Sequence, residues 1–181
     1  VLGAGNMGAA LLGGMLKAEV VEAAHCVATT RTEASAAALA KRFGILATAG
    51  GNREAAAAAD IVILAVKPVN VPKVIREIRD ALRPHQILIS LAAMLPLAVL
   101  EAEAGVPMAV FRAMPNIPVI LEEGAIGLSH NAVATRAQCE IVESIFRAVG
   151  VVAWVDDEQM DAVTALSGSG PAYVYIFIEA M

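Results

Sequence analysis

Gly3, Gly5 and Gly8 carry the clearest chemical signal in this sequence, spaced G-x-G-x-x-G within Val1-Leu2-Gly3-Ala4-Gly5-Asn6-Met7-Gly8. The spacing lets a strand turn sharply at the first glycine, backbone approach a pyrophosphate at the second, and the next helix pack closely at the third. Phosphates then rest on the helix start, where free N–H groups and the helix dipole favour negative charge. The context agrees: apolar Val1 and Leu2 precede the loop, and residues 7–17 read as a helix.

About 20 residues beyond such a loop, a NAD-binding fold usually places an acidic residue for the ribose hydroxyls. This sequence has Thr29-Thr30-Arg31-Thr32 instead. Hydroxyls beside a guanidinium suit a 2′-phosphate, so the expected cofactor is NADP(H), with NAD(H) as the alternative. A capping box between Thr30 and Glu33, with Arg31 solvated, is the structural reading of the same residues.

Ala65-Val66-Lys67-Pro68 closes an apolar run at the carboxyl edge of a strand, where ligands of open α/β sheets bind. Lys67 is there either to face a phosphate or carboxylate or simply to face solvent. Ala92 and Ala93 end the next strand with small side chains, which leaves room for a ring. Ser167-Gly168-Ser169-Gly170-Pro171 offers hydroxyls and helix-start N–H groups to an anionic substrate group, although an interdomain hinge would use the same residues.

No catalytic residue and no metal set emerges. His25, His85 and His130 are scattered, and the pairs Glu122-Glu123 and Asp156-Asp157 are explained by solvation and helix capping. Cys26 and Cys139 are isolated and read as buried thiols rather than a disulfide.

The elements that must position these groups follow from hydrophobic patterning. With 181 residues, 58% of them hydrophobic, the chain can bury one full domain and part of another. A net charge of −5 argues against nucleic acid as a partner. The longest apolar run, 87–100, is broken by Ser90 and Pro96, so no membrane helix is expected. Strand-like runs at 26–29, 61–66, 87–91, 108–112, 125–129 and 151–155 alternate with helix-like ones, which predicts an α/β, Rossmann-like doubly wound, mostly parallel sheet.

Helices are expected at 34–43 ended by Gly44, at 53–59 with Asn52 as N-cap, at 71–82, at 97–103 ended by Gly105, at 132–149 and at 157–166. Two prolines around Asn116 make 112–118 an ordered loop. The last helix, 172–181, is apolar nearly all round and needs a cover. The expected domains are 1–155, with its first strand truncated, and 156–181, the start of an all-α unit cut off at Met181.

Gly3-Ala4-Gly5-Asn6-Met7-Gly8, Ala65-Val66-Lys67-Pro68, Met114-Pro115-Asn116 with Pro118, and the run from Asp161-Ala162-Val163-Thr164 through Ser167-Gly168-Ser169-Gly170-Pro171-Ala172-Tyr173 occur in one order. Together they resemble pyrroline-5-carboxylate reductase, and the resemblance spans essentially the whole chain. It implies reduction of 1-pyrroline-5-carboxylate to L-proline with NAD(P)H in the cytoplasm, the final step of proline biosynthesis. It also implies dinucleotide contacts from Leu2, Gly3, Ala4, Gly5, Asn6, Met7, Thr30, Arg31, Asn52, Ala65, Val66, Lys67, Pro68 and Ala93. The substrate would lie toward Ser167, Gly168, Ser169 and Gly170. A helical domain that dimerises by intertwining would complete the pocket, giving a homodimer or higher oligomer without nucleic acid or membrane.

Two positions depart from the family pattern. Ile117 stands where Thr is usual, and Met94 where Gly is usual. A non-catalytic NADP-binding fragment or regulatory relative is the alternative function. A β-hydroxyacid dehydrogenase would use a lysine on the interdomain helix, and no lysine follows Lys73.

Overall fold

The computed structural model describes every residue from Val1 to Met181. Seven strands are present: β1 Val27–Thr30, β2 Leu46–Ala49, β3 Ile61–Leu64, β4 Ile87–Ser90, β5 Ala109–Met114, β6 Gly124–His130 and β7 Gly150–Trp154. β2 pairs with β1, and the order from β3 to β7 is sequential. Residues 1–4 join the two groups. Leu2 bridges Thr29 on one side and Leu64 on the other, with Leu2 N–H donating to the Ile63 carbonyl and Ala4 N–H to that of Thr29.

Alternation along the strands sorts the core into layers. Val62, Leu64, Leu88 and Val110 face α3 (Asn52–Ala57), α4 (Val71–Ile78) and α5 (Leu97–Ala104). Ile63, Ile89 and Phe111 face α1 (Asn6–Lys17) and α6 (Arg136–Arg147), and α2 (Glu33–Phe43) packs beside α1 over Ala28. α4 shows why these segments are helical: Val71, Val74, Ile75 and Ile78 recur at helical spacing and are all buried. No helix is long and apolar enough to cross a membrane.

The expected strands are present, shifted at their ends by a residue or two. Two run the other way: β6 is antiparallel to β5, with Arg112 opposite Ser129 and Met114 opposite Gly127, and β7 is parallel to β6. β2 escaped the sequence reading because it is a short edge strand with an alternately exposed face. Residues 112–118 are not one loop. β5 continues through Met114, and Ile117–Leu121 forms a 3₁₀ turn that accepts Pro118 in its first turn.

Several helix boundaries also move. Thr32, not Thr30, caps α2 by accepting from Ser35 N–H, while Thr30 Oγ1 donates to the Thr32 carbonyl. Asn52 is the first helical residue of α3 rather than its N-cap. α4 tightens into a 3₁₀ turn, Arg79–Ala81. α6 starts only at Arg136, behind its N-cap Thr135, which forms a capping box with Gln138.

Residues 157–166 are not one regular helix. A 3₁₀ turn (Asp157–Gln159) leads into α7 (Met160–Val163), a π-helical turn (Thr164–Gly168) and then α8 (Gly170–Ala180). Ser167 and Gly168 therefore lie inside a helical turn, and α8 begins two residues earlier than the proline suggested.

Because residues 1–4 stitch the sheet together, truncating Leu2, which is 2% exposed, should cost far more than truncating Leu46, which is 62% exposed. Leu2→Ala is expected to lose about 2–5 kcal/mol in urea unfolding and Leu46→Ala well under about 1 kcal/mol.

Candidate dinucleotide and acceptor site

The glycine loop has the geometry its spacing demands. Gly3 sits at φ +75°, and a Cβ there would run into Cγ1 of Val66. A Cβ on Gly8 would lie 2.8 Å from that of Ala65, so α1 approaches β3 closely. Gly5 is the N-cap of α1, with no side chain capping the helix and no acidic residue in its first turn. The N–H groups of Asn6 and Met7 thus carry the positive end of the helix dipole uncompensated, an arrangement that fits an anionic phosphate.

Thr29, at the end of β1, fixes the loop from below. Its Oγ1 accepts from Gly3 N–H at 3.1 Å and donates to Asn52 Oδ1 at 2.6 Å, and Asn52 Nδ2 donates to Glu77. Asn52 is thereby oriented by both ends of its amide. Arg31 is exposed and pairs with no side chain, so its guanidinium is available at the edge where β1 ends. Thr30 is buried and already engaged with Thr32. Of the two, Arg31 is the one open to a 2′-phosphate. A cleft of about 580 Å³ opens beside the loop along α1, bordered by Gly5, Asn6, Lys17, Arg42 and Ile120.

The strand registers give the site a floor and a wall. Leu2, Leu64, Ser90 and Arg112 lie at one level across the sheet. The chain immediately beyond them, Gly3 to Gly5, Ala65 to Pro68 and Ala92 to Met94, forms a floor at the carboxyl edges. Lys67 is exposed there. β5 runs on to Met114, and with β6 it rises past that level by about 3.3 Å per residue.

The segment 157–168 climbs this protruding hairpin. Asn116 Nδ2 donates to Ser167 Oγ at 3.3 Å, and Ser167 Oγ donates to the Ala125 carbonyl. Gly168 has no room for a Cβ beside Cε of Met114. Ser169 Oγ donates to the Thr164 carbonyl. Leu2, Gly3, Ala4, Gly5, Asn6, Met7, Ala65, Val66, Lys67, Pro68 and Ala93 therefore border one edge, and Ser167, Gly168, Ser169 and Gly170 cap the wall beside it.

One structural group was not legible as such in the sequence. Arg112, 4% exposed in its side chain, pairs with Asp157 at 2.5 Å, and Asp157 Oδ2 accepts from Leu97 N–H at 3.0 Å. The acidic pair had suggested only solvation and capping, a role that Asp156 does fill with Gln159. The signal available was an arginine inside an apolar strand, since such a charge is almost never buried without a partner. The histidines stay apart. Cys26 is buried as expected and Cys139 only partly so, and burial pushes both thiols up from their usual value.

A doubly wound sheet with this loop defines a Rossmann-type dinucleotide-binding fold. Residues 1–94 match the family described as NADP oxidoreductase coenzyme F420-dependent, and residues 157–181 match the one described as pyrroline-5-carboxylate reductase dimerisation. The chain is 46% identical over 181 residues to the pyrroline-5-carboxylate reductase of Pseudomonas aeruginosa, covering 99% of this chain and 66% of that one.

Among solved structures, the pyrroline-5-carboxylate reductase of Coxiella burnetii superposes with a TM-score of 0.92 at 36% identity, covering 99% of this chain and 66% of that one. The pyrroline carboxylate reductase of Plasmodium falciparum, solved with NADP bound, gives 0.88 at 30% identity, covering 99% and 65%. By its amino-terminal part and by its whole length, the chain belongs to the first of these families and to the pyrroline-5-carboxylate reductase family. The chain spans 66% of the length of that Pseudomonas aeruginosa relative and of the Escherichia coli one, at 37% identity.

Met94, where the resemblance implies glycine, stands at a costly place. Its φ is +63° and its side chain is 77% exposed, so it holds a left-handed backbone with little packing in return. Met94→Gly should stabilise the fold by about 0.5–1 kcal/mol, the left-handed penalty less the extra chain entropy of glycine, read as a rise in thermal midpoint.

Proposed function

We propose that the chain serves the reduction of 1-pyrroline-5-carboxylate to L-proline by hydride transfer from NAD(P)H, the last step of proline biosynthesis, in the cytoplasm. The observation that carries this reading is the uncapped start of α1 behind the Gly3 turn, in a chain of this family. Leu2, Gly3, Ala4, Gly5, Asn6 and Met7 would hold the pyrophosphate, and Arg31, with Thr30 behind it, the 2′-phosphate of NADP(H). Asn52 would border the adenosine side, and Ala65, Val66, Lys67, Pro68 and Ala93 the nicotinamide side. When bound, the reduced nicotinamide supplies the hydride.

A protonated imine is already electrophilic at carbon. What the protein must add is mainly orientation of the ring and an anchor for its carboxylate. Ser167, Gly168, Ser169 and Gly170 are the candidates for that anchor, at the start of α8. We take 1–155 as the dinucleotide-binding unit and 156–181 as the beginning of a helical unit. A homodimer or larger assembly through that helical unit is supported by the dimerisation-family match and by α8, on which Tyr173, Ile176 and Phe177 are all more than half exposed.

Two measurements test the reading. NADPH oxidation on added pyrroline-5-carboxylate should be absent from residues 1–181 alone and present once the chain is extended to its relatives' length. Full turnover by the short chain would remove the need for further helices, and nucleotide binding without turnover by the long one would favour a regulatory role. Arg31→Ala should weaken NADPH binding about tenfold while leaving NADH nearly unchanged, as expected for one charge-assisted contact. Equal losses for both nucleotides would make Arg31 a bystander.

A further inference from the structure

Arg112 and Asp157 are 45 residues apart in the chain and meet at the foot of the wall, where three site segments converge. Arg112 comes from β5, two residues before Met114. Asp157 opens the segment that climbs to Ser167 and Gly168. The Asp157 carboxylate also reaches the floor, because its Oδ2 accepts from Leu97 N–H, the first residue of α5. Pro96, the N-cap of α5, has no side-chain oxygen to do this, so Asp157, 60 positions beyond Leu97, does it instead. Ser129 Oγ, from β6, donates to the same carboxylate at 3.4 Å.

Such a pair is a poor device for stability alone. Taking the Arg112 charge out of water, with the Asp157 carboxylate left 24% exposed, is costly, and apolar side chains of similar volume often replace buried ion pairs with no loss. Nε of Arg112 has no acceptor within the protein, so the burial is not fully compensated. What the pair does supply is registration. It locks the loop that carries Ala93 and Met94 to the hairpin that carries Asn116, and both to the root of the Ser167 turn.

We propose that Arg112 and Asp157 are a positioning pair for the imine reduction, setting the acceptor wall at a fixed height over the nicotinamide floor; this rests on the reductase reading above. Neither side chain touches the reactants. Their effect is on the distance across which hydride passes, and a misplacement of about 1 Å can cost about a hundredfold in rate.

The test uses the chain extended to its relatives' length and compares wild type with Arg112→Met/Asp157→Asn, which removes both charges together and replaces the carboxylate that Leu97 N–H donates to with a weaker, neutral amide acceptor. The expected result is a thermal midpoint close to wild type, unchanged NADPH affinity, a kcat lowered by about 30-fold or more, and faster hydrogen exchange at Leu97 and Gly168. Wild-type kcat with unaltered exchange at both amides would overturn the proposal. Should the double variant fail to fold, Asp157→Glu keeps the charge but lengthens the arm by one methylene. It should lower kcat about tenfold with NADPH affinity unchanged, and an unchanged kcat there would equally overturn the pairing. If wild type does not reduce the imine, the reductase reading fails, while exchange at Leu97 and Gly168 still decides whether the pair couples wall to floor.

Discussion

The sheet is continuous only because residues 1–4 lie between β1 and β3, hydrogen-bonded to both. Without that segment, β1 and β2 would form a separate ribbon from the five strands that follow. The same few residues make the turn at Gly3 and launch α1. Integrity of the sheet and aim of the helix start are therefore one constraint, which Thr29 enforces through its backbone and its hydroxyl at once. A loop built this way is tied by hydrogen bonds directly to the core strands beneath it.

The second constraint is the reversal at β6. A wholly parallel sheet would end every strand at one level and offer only a shallow rim. With β5 and β6 paired antiparallel, the hairpin stands above the rim, and the chain leaving β7 can turn back and climb it. Val155 N–H still bonds the Leu128 carbonyl, Asp157 grips Arg112, and Ser167 reaches the Ala125 carbonyl further up. The fold thus brings a segment from near the end of the chain to the same edge as the glycines at its start.

Much of this was readable from residue order, for definite reasons. The Gly3 to Gly8 spacing encodes backbone geometry directly, and continuous apolar runs such as Ile61-Val62-Ile63-Leu64 mark strands covered on both faces. Strand direction has no comparable signature, since the apolar pattern of β6 reads the same either way. Leu46 to Ala49 lacks the apolar density of a core strand because it forms the sheet's edge. Asn52 looked like a cap because its residue type caps helices, yet Thr29 and Glu77 claim its side chain. The Arg112–Asp157 contact links positions whose local sequences suggest unrelated roles. Met94 was visible as a departure from a family pattern, but its left-handed backbone appears only in three dimensions.

The wide turn at Thr164–Gly168 carries one residue more than a regular helix would hold over the same rise. Each residue of an α-helix turns the axis frame by about 100°. Loss of one residue within that turn would therefore leave an ordinary helical turn over the same rise, and α8 would keep its direction. Loss of one residue from α7, which has none to spare, would instead rotate the whole of α8 by more than a quarter-circle and turn every aromatic on it another way. Along 160–180, the wide turn is thus the place where a single-codon deletion is most easily absorbed.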